Sequence, residues 1–283
     1  MNYEGKLFID DGIDAYKEYG VFVEQYGYKE LIQMPSFKKL DVTEWPEYNG
    51  QEVDLMSPVL GSRNLQIQFN IVNVRLAEDF FLALSNNAYH HFRFMDLKRI
   101  YRLRMISNGS FSQLVRMGKF TLTFSDDFPQ VPNTPHYKLG ETEVKQTGYE
   151  LDGIDFAQFG SYLLKGTDTS IRKSANIRTA LTIDIVSSTG VVYDDKAVKF
   201  QAKDVTLKML INAETIDKFW KRWYSLFTVL LQPESRIFYF AALGIKYECY
   251  YKSNQVSKFD ILRNGHVWCE FSIVLTFTSW NPL

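Results

Sequence analysis

The chain runs twice through one series of sequence features, which asks for a single fold unit built two times over. Asp11-Gly12-Ile13-Asp14 followed by Tyr19-Gly20 opens the first copy; Asp152-Gly153-Ile154-Asp155 followed by Phe159-Gly160 opens the second. Leu65, Ile67, Phe69 and Ile71 alternate with polar neighbours, as do Val205, Leu207, Met209 and Ile211, the period of half-buried strands. Both strands run into an asparagine, Asn73 or Asn212, whose side-chain oxygen suits it to cap a following helix. The first helix then presents Leu76, Phe80, Phe81 and Leu84 on one face, and the second, longer one presents Ile216, Phe219, Trp220, Trp223 and Phe227. Further on, Phe94, Leu97, Tyr101, Leu103 and Met105 answer to Phe240, Leu243, Tyr247, Cys249 and Tyr251. Leu122-Thr123-Phe124 near Pro129 answers to Leu275-Thr276-Phe277 near Pro282. Residues 130–148, with Pro132, Pro135 and Gly140, read as an extended connector between units at 1–129 and 149–283.

One helix per copy is too few for a parallel sheet crossed by helical connections, so the expected class is mainly β, α+β by content. The architecture expected is two tandem β-sandwiches, each with one flanking amphipathic helix against a sheet edge or across an open end. The 22 Phe and 17 Tyr favour such flat, aromatic packing. Phe80 and Trp220 are expected core residues, and Cys249 and Cys269 fall on apolar strand faces where their thiols are inert.

With 283 residues, 46% of them hydrophobic, the chain has ample material for compact domains. A formal net charge of −1 leaves no excess to draw it to nucleic acid or an anionic membrane. The polar, acidic stretch Met1 to Gly12 is unlike a secretory signal. The best apolar run, Leu226 to Leu231, is far short of the roughly 18 residues that cross a bilayer.

The chemical motifs are thin. Lys165-Gly166-Thr167 lacks the glycine and lysine order of a phosphate-binding loop, and no serine or cysteine has the partners of an activated nucleophile. His90 and His91 point to opposite faces of a strand and cannot chelate together. Asp10, Asp11 and Asp14 lack the ligand alternation of a calcium loop, and a structural turn is favoured there. Lys98, Arg99, Arg102 and Arg104 around Tyr101 have the look of a nucleic-acid strand, but a subunit contact or solvated face is favoured, since the second copy puts Glu248 among the matching positions. No catalytic, cofactor-binding or metal-ligating residue is therefore assigned, no cofactor is expected, and the chain is not expected to be an enzyme.

The order of these features, from the Asp-Gly-Ile-Asp opening and Tyr-Gly pair through strand, helix and strands to the closing Leu-Thr-Phe, resembles the ring-forming domain of the phage distal tail protein family. The resemblance spans roughly residues 5–129 and again 149–282. It implies the tail-tube fold, side-by-side assembly into a ring, and no catalytic residues. That family usually carries a galectin-like or carbohydrate-binding C-terminal domain where this chain carries a second ring-type unit. In this respect it resembles baseplate hub proteins, in which two tube-like domains per chain let a trimer present six similar units. The resemblance thus implies a virion-tail protein assembled in the host cytoplasm. Its partners would be itself, as trimer or hexamer, and other tail-tube and baseplate proteins, with neither membrane nor specific nucleic acid. A related bacterial injection apparatus is the neighbouring alternative. The reading from a different class is a carbohydrate-binding module presenting Trp45, Tyr48 and Trp268.

Overall fold

The computed structural model describes residues 3–24, 26–86, 88–114, 117–134, 142–179, 182–187, 189–193 and 198–279. The chain is mainly β and is built on two curled seven-stranded antiparallel sheets. Residues 135–141 of the expected connector, and Pro282, lie outside the described residues.

In the N-terminal half come β1 (Leu7–Ile9), β2 (Ile13–Asp14), helix α1 (Ala15–Tyr19), β3 (Val21–Val23) and helix α2 (Lys29–Ile32). A small ribbon, β4 (Val42–Thr43) with β5 (Glu52–Val53), follows, then β6 (Arg63–Ile71), helix α3 (Ala77–Leu84), β7 (His90–Phe94), β8 (Arg99–Leu114) and β9 (Met117–Asp126). The C-terminal half has β10 (Tyr149–Leu151), β11 (Ile154–Asp155), β12 (Ser161–Leu163), helix α4 (Thr167–Arg172) and a ribbon of β13 (Thr182–Asp184) with β14 (Val191–Tyr193). It ends with β15 (Lys203–Ala213), helix α5 (Ile216–Leu230), β16 (Arg236–Phe240), β17 (Ile245–Ile261) and β18 (Val267–Phe277). The sheet orders are β2-β1-β7-β8-β9-β6-β3 and β11-β10-β16-β17-β18-β15-β12, strand for strand the same arrangement.

Side-chain alternation explains why each sheet buries one face: β15 and β18 put every second residue inside. Bulges interrupt the two long strands at matching places, after Met105 in β8 and after Tyr251 in β17. An extra residue there bends the strand and lets the sheet curl around its contents. The contents are the helix. Phe80 of α3 meets Phe69 and Phe120 on the sheet's inner face, and Trp223 of α5 meets Phe271 edge-on at 4.8 Å while Phe219 meets Phe259. The helices therefore lie across the concave face of the central strands, not at an edge or open end, because an aromatic stripe this wide needs a whole face to cover it. Cys249 and Cys269 are fully buried, and burial raises both thiols above their ordinary values.

Pairing register corrects three details of the sequence alignment. Asp10, not Asp11, is the counterpart of Asp152: Ile9 pairs with Phe92 as Leu151 pairs with Phe238, so the first turn is one residue longer. The two carboxylates act alike. Asp10 accepts from the His91 amide and faces His90 Nδ1 at 2.7 Å, while Asp152 accepts from the Ile237 amide and pairs with Arg236 at 2.8 Å. Burial opposes ionisation of Asp10, but the bonds from His90 and His91 outweigh it and hold the carboxyl below its usual value. Next, Phe124 faces Met105 as Leu275 faces Tyr251, so the two Leu-Thr-Phe strings are two residues out of register. Finally, Asn73 does cap the 3-10 turn ahead of α3, through the Arg75 amide, whereas Asn212 stays paired with Trp268 inside β15. Thr215 caps α5 instead, accepting from the Lys218 amide.

A shared device pins α2 and α4. Arg63 points its guanidinium at the carbonyls of Glu30, Leu31 and Gln33, and Lys203 donates to that of Ile171, so each cation sits at a helix end whose carbonyls have no partner within the helix. Lys203 is buried, and burial, with the Lys173 charge second, pulls its ammonium down to about 8. The unfolded chain keeps this proton up to about 10.4, so between those values it binds more protons than the native state and stability from this site rises with pH. In urea titrations the wild-type midpoint is expected to gain on that of Lys203→Met between about pH 8 and about pH 10. A gap that stays constant across that range refutes a buried charged amine.

Candidate assembly surface

After α2 and after α4 the chain leaves the sheet as an arm and returns at β6 or β15. The arm bases are built alike. Phe37 bridges Leu60 as Ile177 bridges Phe200, and Lys38 donates to Val59 as Arg178 donates to Lys199. Out along the arm, Val42 pairs with Val53 as Thr182 pairs with Tyr193. Counterparts keep one constant spacing in sequence from Gly20 and Gly160 to Ile71 and Ile211.

The N-terminal arm docks on the C-terminal half. Gly50 N donates to Phe200 O at 2.7 Å, Gln51 N to Thr278 O at 2.8 Å, and Phe200 N to Asn49 Oδ1 at 2.9 Å. Arg178 pairs with Glu44 at 2.8 Å and also donates to Gly50 O. The fit at the tip demands glycine. Gly50 has φ +78°, and a Cβ there would stand 1.7 Å from Thr278 O. Beneath the arm, Met34 N donates to Asn254 Oδ1 at 3.1 Å, Tyr251 Oη donates to Met34 O at 3.2 Å, and Phe37 packs edge-on against Tyr251.

A second contact comes from the β7–β8 turn. Lys98 pairs with Asp217 of α5, Arg99 stacks over Trp220 at 4.7 Å, and Trp220 Nε1 donates to Leu97 O at 2.7 Å. Buried apolar residues of both halves form one continuous cluster. Trp220→Phe keeps most of the apolar area but leaves the Leu97 carbonyl without its donor, and is expected to cost about 1–3 kcal/mol by urea unfolding.

The basic strand is thus taken up by internal contacts. Lys98 lies in the turn with φ +51°, not on the strand, and joins Arg99 against the other half. Arg102 stacks over Tyr89 at 4.3 Å and Arg104 pairs with Asp127. His90 is buried and His91 exposed, on opposite faces of β7 as expected. Among the described residues no three His, Cys, Asp or Glu side chains are grouped to hold a metal ion. Asp14 caps α1 and accepts from the Gly5 amide, and Asp155 caps the 3-10 turn after β11 while accepting from Thr147 and Gly148, so the acidic motif organises turns. Asp11 stands exposed in its turn. Thr167 exchanges hydrogen bonds with the Lys208 backbone, which ties Lys165-Gly166-Thr167 to β15.

The aromatic trio is not gathered. Trp45 and Tyr48 lie on the N-terminal arm, with Trp45 Nε1 bonded to Glu52. Trp268 is the second residue of β18, at the opposite end from the Thr278 that receives the arm, about 30 Å along the strand at its usual rise. The arms, and Gly50 and Arg178 within the contact, are features that sequence reasoning missed; the identities the arms share at matching positions are sparse, Gly50 with Gly190 and Asp54 with Asp194.

No protein-family model matches the chain, and no curated protein matches it. Among solved structures it is similar to the Dit (gp 19.1) protein of phage SPP1, whose crystal structure is presented as a paradigm of the hub adsorption apparatus in phages infecting Gram-positive hosts. The identity is 12%, the TM-score 0.34, and the match covers 96% of this chain and 98% of that one. A superposition that loose does not carry function across.

Proposed function

We propose that this chain is a structural component of a phage or phage-derived tail, a ring or pseudo-sixfold adaptor between tail tube and baseplate made from one duplicated unit. The observation that carries this reading is the contact between the halves. It is heterologous: an arm of one half seats on the arm base and last strand of the other, which are different surfaces. A heterologous contact leaves one donor and one acceptor surface unused, and repeats of it close into a ring when the rotation permits. Two like sheets per chain, joined this way, suit three chains around a sixfold tube. The sequence resemblance to ring-forming tail domains supports the same assignment.

The role is mechanical. It involves no reaction, no cofactor, no membrane and no specific nucleic-acid readout, and its partners are further copies of the chain with tail-tube and baseplate proteins. Negative-stain electron microscopy of the chain mixed with its neighbouring tail components is expected to show annuli of threefold or sixfold symmetry. Particles without rotational order, at concentrations where those components assemble, refute the reading. Closure can await the partner, so a monomer in dilute isolation is compatible with it.

A further inference from the structure

The surface that docks in the N-terminal half has a counterpart in the C-terminal half that, among the described residues, docks on nothing. Gly190 holds φ +91° as Gly50 holds φ +78°, but a Cβ on Gly190 meets no atom within 4 Å, whereas one on Gly50 collides with Thr278. Phe37 is packed against Tyr251, while its counterpart Ile177 is 65% exposed. Val186, Val191 and Val192 on the same arm are exposed too. An exposed apolar set on a projecting ribbon marks an interaction site.

We infer that the C-terminal arm seats on the N-terminal half of a second copy of this chain, repeating between chains the contact made within one. The inference deepens the proposed ring, on which it rests for closure but not for the contact itself. The receiving surface follows from register. Arg178 corresponds to Lys38, Phe200 to Leu60 and Thr278 to Asp127, as the arm-base bridges and the β6–β9 and β15–β18 pairings fix. On the arm, Glu44 corresponds to Asp184 and Asn49 to Thr189. Charge complementarity survives the exchange: the Glu44–Arg178 ion pair becomes Asp184 against Lys38, both exposed in the single chain. Gly190 N would meet Leu60 O as Gly50 N meets Phe200 O, and Thr189 would offer its hydroxyl oxygen to the Leu60 amide as Asn49 offers its carbonyl to Phe200. The occupant is a copy of this chain because its N-terminal half repeats the sheet order and arm base that already receive this ribbon.

The test uses full-length chains of two lengths, one carrying Lys38→Cys and a longer-tagged one carrying Asp184→Cys, mixed and oxidised. The native Cys249 and Cys269 are fully buried and add no background. The mixed disulfide dimer is expected to dominate over both homodimers. It is expected to be lost when Gly190→Val is added to the Asp184→Cys chain, since that side chain has room in the single chain but not in the docked tip. Non-covalent assembly gives a second readout: Asp184→Lys weakens it and Lys38→Glu in the same chain restores it. A mixed dimer no more abundant than the homodimers overturns the inference. Annuli seen without the mixed dimer overturn it while leaving the ring standing. Open strings of chains that yield the mixed dimer support it and sink the ring.

Discussion

Gly50→Val is expected to unseat the N-terminal arm and lower the stability of the whole chain by about 3–5 kcal/mol. Three terms add. A valine at φ +78° is strained by about 1–2 kcal/mol relative to glycine. Its Cβ falls 1.7 Å from a backbone oxygen, Thr278 O, which belongs to the segment directly following β18 and cannot swing aside as a flexible side chain would. The arm must therefore lift, taking with it the bonds from Gly50 N, Gln51 N and Phe200 N, each worth about 1 kcal/mol net. The thermal midpoint should drop by on the order of 10 °C. Limited proteolysis should open new cuts within residues 38–59. Gly190→Val is the control, because its φ of +91° imposes similar strain without a neighbouring atom to strike. Its expected cost is only about 1–2 kcal/mol in the isolated chain. Equal midpoints for the two variants would show that the arm contributes nothing by docking.

The docked and undocked glycines look alike in the sequence, whereas the strands do not hide their faces. Strand alternation was legible at Leu65 to Ile71 and Val205 to Ile211 because burying one face of a sheet imposes a period of two. The same period hides a slip of two residues, so the Leu-Thr-Phe strings align in sequence although Phe124 matches Leu275. The longer first turn is hidden for another reason. Asp10 and Asp11 are chemically identical, and it takes the pairing of Ile9 with Phe92 and the partner at His90 to decide which of them answers to Asp152. At α5, Asn212 and Thr215 are both good caps, and the choice falls to the strand, which holds Asn212 in its ladder with β18. The arms gave no periodic signal, since ribbon strands of two or three residues are too short to show one. Lys98 and Arg99 could be read as basic but not as spent, because Asp217 and Trp220 stand more than a hundred residues away in sequence.

Arg63→Met should be the most damaging single change among the polar residues, at about 3–5 kcal/mol in chemical unfolding, because it breaks a buried ion pair from one side. Arg63 Nε donates to Asp126 Oδ2 at 2.9 Å, with both side chains nearly out of solvent. Removing the guanidinium leaves that carboxylate buried without its counter-charge and takes the donors from the end of α2 at the same time. The C-terminal half shows how the site tolerates a different solution. There Lys203 replaces Arg63 and Phe277 replaces Asp126 at the paired position, so the cation keeps its helix carbonyl and faces an aromatic ring in place of a carboxylate. The penalty for Arg63→Met should therefore come mainly from stranded Asp126 and not from the lost helix-end bonds. Adding Asp126→Leu to Arg63→Met is expected to recover at least about half of the loss, roughly 1.5–2.5 kcal/mol, and the coupling in a double-mutant cycle is larger than this by the cost of Asp126→Leu alone. Strict additivity of the two changes would mean that the pair is solvated and that Arg63 acts only on α2.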